Sequence, residues 1–151
     1  MDVFGFITLF ITGFTSCAEF GSYAFVHPVI RHLPQQHHIF VEKGLLKTFG
    51  RVMPVLMTLC VVLGISYAVK MNKTEGAANI FFWASAVSFI VALASTIAVN
   101  VGINSETGKW NIDSPPNNWK EIRNRWELFQ AIRSWFLLIG FMLLCIAVSL
   151  Y

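Results

Sequence analysis

The chain is 151 residues long, 56% apolar and 13% charged, with a mean hydropathy of +0.62 and a formal net charge of +3. A soluble domain carries about 25% charged residues, and here the charges are confined to short stretches between four long apolar runs. That excludes a water-soluble domain and leaves no nucleic-acid footprint; the chain reads as all-α, a single integral membrane four-helix bundle lying in a lipid bilayer.

No secretory leader is expected, because the first residues lack a basic region and Glu19 stands where a small-residue cleavage site belongs. The first span is predicted over residues 3–26. It is interrupted by Thr8, Thr12, Thr15, Ser16, Glu19, Ser22 and Tyr23 and closes at His27-Pro28. Loop one, 27–51, holds all four histidines, and its part from 39 to 49 suits a short interfacial helix. Span two is predicted over 52–69, with Pro54 in its first turn, where a missing N–H costs little. A short loop with Lys70 and Lys73 leads to span three, 77–101. There Ala84, Ser88, Ala92 and Thr96 recur every four residues, the pattern of a helix-packing seam. Loop three, 102–118, is polar.

Ser114-Pro115-Pro116 ends that loop, and Asn118 with Glu121 makes a capping-box pattern ahead of a last helix over 119–150. At about 1.5 Å per residue this helix is roughly 48 Å long, against a hydrocarbon core of about 30 Å. Residues 134–150 then cross the bilayer, and 119–133 extend beyond it. Nine basic residues flank loops one and three and two, Lys70 and Lys73, flank the other side. The positive-inside rule therefore predicts loops one and three, and the extension, in the cytoplasm and both termini outside. The three cysteines, Cys17, Cys60 and Cys145, are an odd number, far apart and all in predicted spans, which does not make a disulfide framework, and the lack of a Cys-x-x-Cys argues against a membrane thiol–disulfide oxidoreductase.

Several positions have the makings of a site. Trp119, Arg123, Trp126, Gln130 and Arg133 share one face of the last helix. Interfacial tryptophans and span-end arginines are ordinary membrane anchors, but five members at helical spacing exceed that pattern. Glu19 is a carboxylate inside a span, costly unless it faces protein or water. Steps of four residues place Glu19, Tyr23 and His27 on one drifting face. His27 suits a general base, a metal ligand, or simply a helix C-terminus. His37 and His38 with Glu42 have a spacing that suits a metal ion, although adjacent loop histidines are more often just solvated.

The pattern Asn100-x3-Asn104, Trp110, Pro115-Pro116, Trp119, Arg123, Arg125-Trp126, Phe129 and Arg133, with Glu19-Phe20-Gly21 and His27-Pro28-Val29 before it, resembles the DUF1772 family of anthrone oxygenase-like membrane proteins. The resemblance implies four spans and O2-dependent oxidation of a flat, anthrone-like polyketide to a quinone. On this chain it implies Glu19 or His27 as base and Arg123 or Arg133 as oxyanion partner. Tyr23, Asn100, Asn104, Trp119, Trp126 and Gln130 would then hold the small hydrophobic substrate. One departure is Gln130, where the family often carries histidine. The chemistry needs either no cofactor or a transition metal ion, for which His27, His37, His38 and Glu42 are the candidates. Two other classes compete: a small proton-coupled exporter using Glu19, which such a span also resembles, and a non-catalytic membrane subunit. A homo-oligomer is a possible state.

Overall fold

The computed structural model describes residues 2–72 and 76–151; Lys73, one of the two basic residues assigned to the outer loop, lies outside the described residues. Five helices account for most of these residues. Four are long and apolar enough to cross a membrane: α1 (Val3–Ile30), α3 (Phe49–Lys70), α4 (Ala77–Lys109) and α5 (Trp119–Leu150). Between α1 and α3 lies the short α2 (Gln35–Lys47). The long helices close a ring in which α1 touches α3 and α5, and α4 touches the same two.

The interior of the ring is partly polar, and its outside, where lipid surrounds it, is apolar. Thr8, Thr12, Thr15, Ser16 and Glu19 of α1 are all buried, while Phe6, Phe10 and Phe14 stack along its exposed face. Buried hydroxyls without water must find acceptors. Thr12 and Thr15 donate back to Thr8 and Ile11 carbonyls, Ser16 donates to the Leu137 carbonyl of α5 at 2.9 Å, and Ser85 of α4 donates to the Gly140 carbonyl at 2.7 Å. The last two tie neighbouring helices together. The core between them is filled by Met57, Cys60, Phe89, Ala92 and Leu137.

Helix extents differ from the sequence expectations in instructive ways. α1 runs through His27-Pro28 to Ile30 by loosening into a π turn at Ser22–Val26, where the His27 N–H bonds the Ser22 carbonyl. Pro28 has no N–H and crowds the carbonyl four residues back, so the ladder opens there rather than ending. α4 likewise passes through a π turn at Thr96–Asn100 and continues to Lys109, so the first half of the expected polar loop is helix. α3 starts at Phe49, which places Pro54 inside the helix rather than in its first turn. α2 begins at Gln35, earlier than the expected interfacial helix. Asn118 caps α5 without a side-chain hydrogen bond, so the capping box does not form.

α2 covers the end of the bundle that carries the loop histidines. Its Ile39 packs with Trp110 and Trp119 in a small cluster, and Lys43 donates to the Trp110 carbonyl at 2.6 Å. The first turns of α5 are therefore packed against protein.

Gly140 is a close contact between α4 and α5. A Cβ there would stand 2.8 Å from Phe89 and 3.1 Å from the Ser88 Cβ, and Phe89 is fully buried. Gly140→Val should cost about 2 kcal/mol, the range for overpacking a filled core, read as a lower thermal unfolding midpoint in detergent. A midpoint equal to that of the wild type would contradict the close packing described here.

Candidate functional site

Two opposite charges meet in the middle of the bundle. Glu19 of α1 and Arg133 of α5 are both buried, and Arg133 Nε donates to Glu19 Oε2 at 3.1 Å. Ser134, next along α5, donates to the Glu19 carbonyl at 3.3 Å. The partner of Glu19 is thus an arginine, not the His27 that shares its helix. A buried carboxylate in a lipid-surrounded bundle requires such a counter-charge.

A second charged group sits one layer nearer the loop end. Glu42, on the inner face of α2, holds Arg123 of α5 with Oε2 at 2.6 Å from Nη2, and each is 2% exposed. Its other oxygen, Oε1, lies 3.6 Å from His27 Nδ1 and 3.7 Å from His38 Nε2. Among the described residues those three atoms have no hydrogen-bond partner. Burial pushes the Glu42 carboxyl above the usual range while Arg123 pulls it down; burial and then Arg123 lower His38. Further out, Glu127 pairs with Arg31.

Trp126 is the hub between the two groups. Its ring lies 4.9 Å from that of His27, with the Arg123 guanidinium 4.2 Å and the Arg133 guanidinium 5.6 Å from its centroid. Asn100, brought inward by the second π turn, fixes the hub's backbone by donating to the Trp126 carbonyl at 3.1 Å. Trp126 Nε1 is buried with no acceptor.

These groups border a cavity of about 290 Å³. Glu19, Ser22, His27, Glu42, Asn104, Trp126, Gln130 and Arg133 form its polar side, and residues of α2 and α3 such as Leu46, Met53, Pro54 and Met57 form its apolar side. A separate cavity of about 380 Å³ lies outside Arg123, between Arg31, His38, Trp119, Lys120 and Glu127.

Of the residues singled out in the sequence, Glu19, His27, Asn104, Trp126, Gln130 and Arg133 thus border one cavity. Asn100 supports it from behind, and Trp119 and Arg123 border the outer one. Tyr23 borders neither; it packs on Phe20, with ring centroids 6.0 Å apart. Ser22, three residues on from Glu19 and still in the regular ladder through its N–H bond to the Ala18 carbonyl, lines the cavity instead. Gln130 Nε2 accordingly reaches Ser22 Oγ at 3.5 Å. His37 is exposed and apart from His38 and Glu42. Among the described residues no three His, Cys, Asp or Glu side chains are grouped to hold a metal ion, and Arg123 places a positive charge beside Glu42. Sequence reasoning overlooked Ser22, the apolar wall from α2 and α3, and the pairing of Glu42 with Arg123. For the first, the three-residue spacing from Glu19 was the signal.

Glu19→Gln leaves Arg133 buried without a counter-charge and should cost about 3 kcal/mol or more. Glu19→Gln/Arg133→Met, which removes both charges, should recover most of that loss in thermal unfolding. A double variant no more stable than the single one would mean the pair does not act as a unit.

Among curated proteins and solved structures, nothing matches the chain. Residues 45–143 match the family described as Anthrone oxygenase, a stretch that includes Asn104, Arg123, Trp126, Gln130 and Arg133 and stops short of Glu19, His27 and Glu42. With about two thirds of its length matched, from α3 through most of α5, this four-helix membrane protein belongs to the anthrone oxygenase family.

Proposed function

We propose that the protein is a membrane-embedded oxygenase that converts a flat, anthrone-like aromatic molecule to the quinone with O2. The observation that carries this reading is the convergence of His27, the unpartnered Trp126 N–H and the Arg133 guanidinium on one largely apolar cavity. Small-molecule sites commonly combine apolar walls with a few polar groups in this way. Phe49 and Val101 also line the cavity and are exposed, which favours arrival of both the substrate and O2 from the hydrocarbon phase.

The chemistry assigns a role to each group. An anthrone carries a CH2 between two aromatic rings, opposite a carbonyl, so loss of a proton yields an anion delocalised onto that oxygen. His27 takes the proton as general base. Arg133 and Trp126 Nε1 stabilise the oxygen on which charge develops, and the Trp126 ring supplies a flat wall. The anion transfers electrons to O2 and forms a C–O bond, giving a peroxide that takes the proton back. Loss of the second C–H proton breaks the O–O bond, and the departing hydroxide becomes water. Carbon is oxidised by four electrons and one O2 reduced by four, giving one carbonyl and one water. Arg123 acts at a distance in this scheme, by holding Glu42.

The pairing of Glu19 with Arg133 favours a fixed counter-ion over the protonation cycle an exporter would need. In the same reading the loops rich in Lys and Arg face the cytoplasm, and both termini face outward.

Purified protein in lipid nanodiscs should consume one O2 per quinone formed from an anthrone. His27→Gln should lower kcat by about 10²-fold or more, the usual contribution of a general base, with thermal unfolding unchanged. Arg133→Lys keeps the charge but loses the planar fork, and should lower kcat by roughly tenfold or more, the scale of one lost transition-state hydrogen bond. An oxidation rate in His27→Gln equal to that of the wild type would sink the assignment of the base.

A further inference from the structure

We propose that Glu42 is the positioning residue of the His27 base, fixing its tautomer and balancing the charge that forms on its ring; this rests on the oxygenase reading above. The starting point is an anomaly of α2. This helix is mostly exposed and buries only His38, Ile39 and Glu42. A leucine at position 42 would cover the bundle end at far lower cost than a carboxylate, because a buried charge loses several kcal/mol of hydration. Pairing with Arg123 offsets that cost for Oε2 alone. Oε1 is left without a hydrogen bond, bordering the cavity, with His27 Nδ1 3.6 Å away.

That arrangement dictates the state of the imidazole. With a carboxylate oxygen on its Nδ1 side, His27 is favoured with the proton on Nδ1 and the lone pair on Nε2, free for a substrate C–H. The distance is longer than a hydrogen bond, as catalytic contacts often are before substrate binds.

The charges around His27 strengthen the argument. Glu19 and Arg31 face it from α1, His38 and Glu42 from α2, and Arg123, Arg133 and Glu127 belong to the adjoining face of α5. Arg133 takes Glu19 Oε2 and Arg31 takes Glu127 Oε2, while Glu19 Oε1 is not within 4 Å of the His27 ring nitrogens. An imidazolium forming among three guanidinium groups is repelled by each of them. Among the described residues Glu42 Oε1 is the carboxylate oxygen that comes within 4 Å of a His27 ring nitrogen, so the positive charge on His27 during turnover depends on it. Arg123 serves this by gripping Oε2, which turns Oε1 towards the ring. Burial, which raises the Glu42 carboxyl, narrows the gap in proton affinity between it and the imidazole and so strengthens their interaction.

The test uses the full-length protein in nanodiscs with an anthrone and O2. Glu42→Gln alone strands Arg123 and can unfold, so the main variant is Glu42→Gln/Arg123→Met, which removes both charges at nearly constant volume. It should fold, with a thermal midpoint close to that of the wild type, and lose about 10²-fold or more in kcat with KM within about twofold, the signature of a lost transition-state interaction. Glu42→Ala/Arg123→Met opens a space beside His27, and added formate should restore kcat at least several-fold by replacing the carboxylate. A merely structural Glu42 predicts no such rescue. Wild-type kcat in the first variant, or a loss that formate does not relieve in the second, overturns the proposal while leaving His27 as base. Absence of anthrone oxidation by the wild type overturns the enzyme reading and this role with it.

Discussion

Everything distinctive about this structure depends on neutralising charge where water is scarce. A bundle that exposes phenylalanine and isoleucine to lipid cannot leave a carboxylate or guanidinium alone in its interior. The two most deeply buried carboxylates, Glu19 and Glu42, each take a buried arginine, and Glu127 takes the half-exposed Arg31. Each buried pair joins two helices: Glu19 and Arg133 link α1 to α5, and Glu42 and Arg123 link α2 to α5. The cost of separating such a pair makes α5 the strut against which the others are registered. Buried pairs contribute little net stability against apolar replacements, so their value lies in fixing geometry.

The second device is the pair of π turns. One lies in α1 beside Glu19 and His27, the other in α4 beside Asn100, and both sit against the charged cavity wall. A π turn inserts one residue without ending a helix, which rotates everything after it by about 100° relative to the regular lattice. In α1 this puts His27 on the same side as Glu19 although eight positions separate them. In α4 it carries Asn100 to the Trp126 carbonyl. Departures from helical regularity therefore cluster where side chains must be aimed, and the remaining helix is ordinary.

The third is the division of labour between the two ends of the cavity. Its floor of Met, Leu and Pro side chains from α2 and α3 is deformable and unspecific, suited to a hydrophobic guest. Its roof of His27, Trp126 and Arg133 is held by several mutual contacts and admits little movement. α2 closes the assembly by bringing a short amphipathic segment, with its buried His38 and Glu42, over the end that the long helices leave open.

Much of this was legible in the chain itself. Low charge, four apolar runs and an over-long final helix determined an all-helical membrane bundle, because long continuous apolar runs satisfy their backbone hydrogen bonds in lipid as helices, whereas a barrel needs short strands of alternating polarity. The Trp119–Arg133 face was readable from spacing, since α5 is a regular helix there and period alone says which side chains align. Glu19 stood out because a carboxylate inside a span is rarely idle. Tertiary structure decided the rest. Tyr23 was expected beside Glu19 on regular spacing, yet Ser22, three residues on from Glu19, lines the cavity and Tyr23 packs on Phe20. Glu42 could not be assigned to Arg123, some 80 positions away, because only packing of α2 over α5 brings them together. Likewise Trp119 and Arg123, on the same face as Trp126, border the outer cavity because a helix face is longer than the site it crosses. Spacing fixes direction around one axis; which neighbour waits in that direction is a property of the folded bundle.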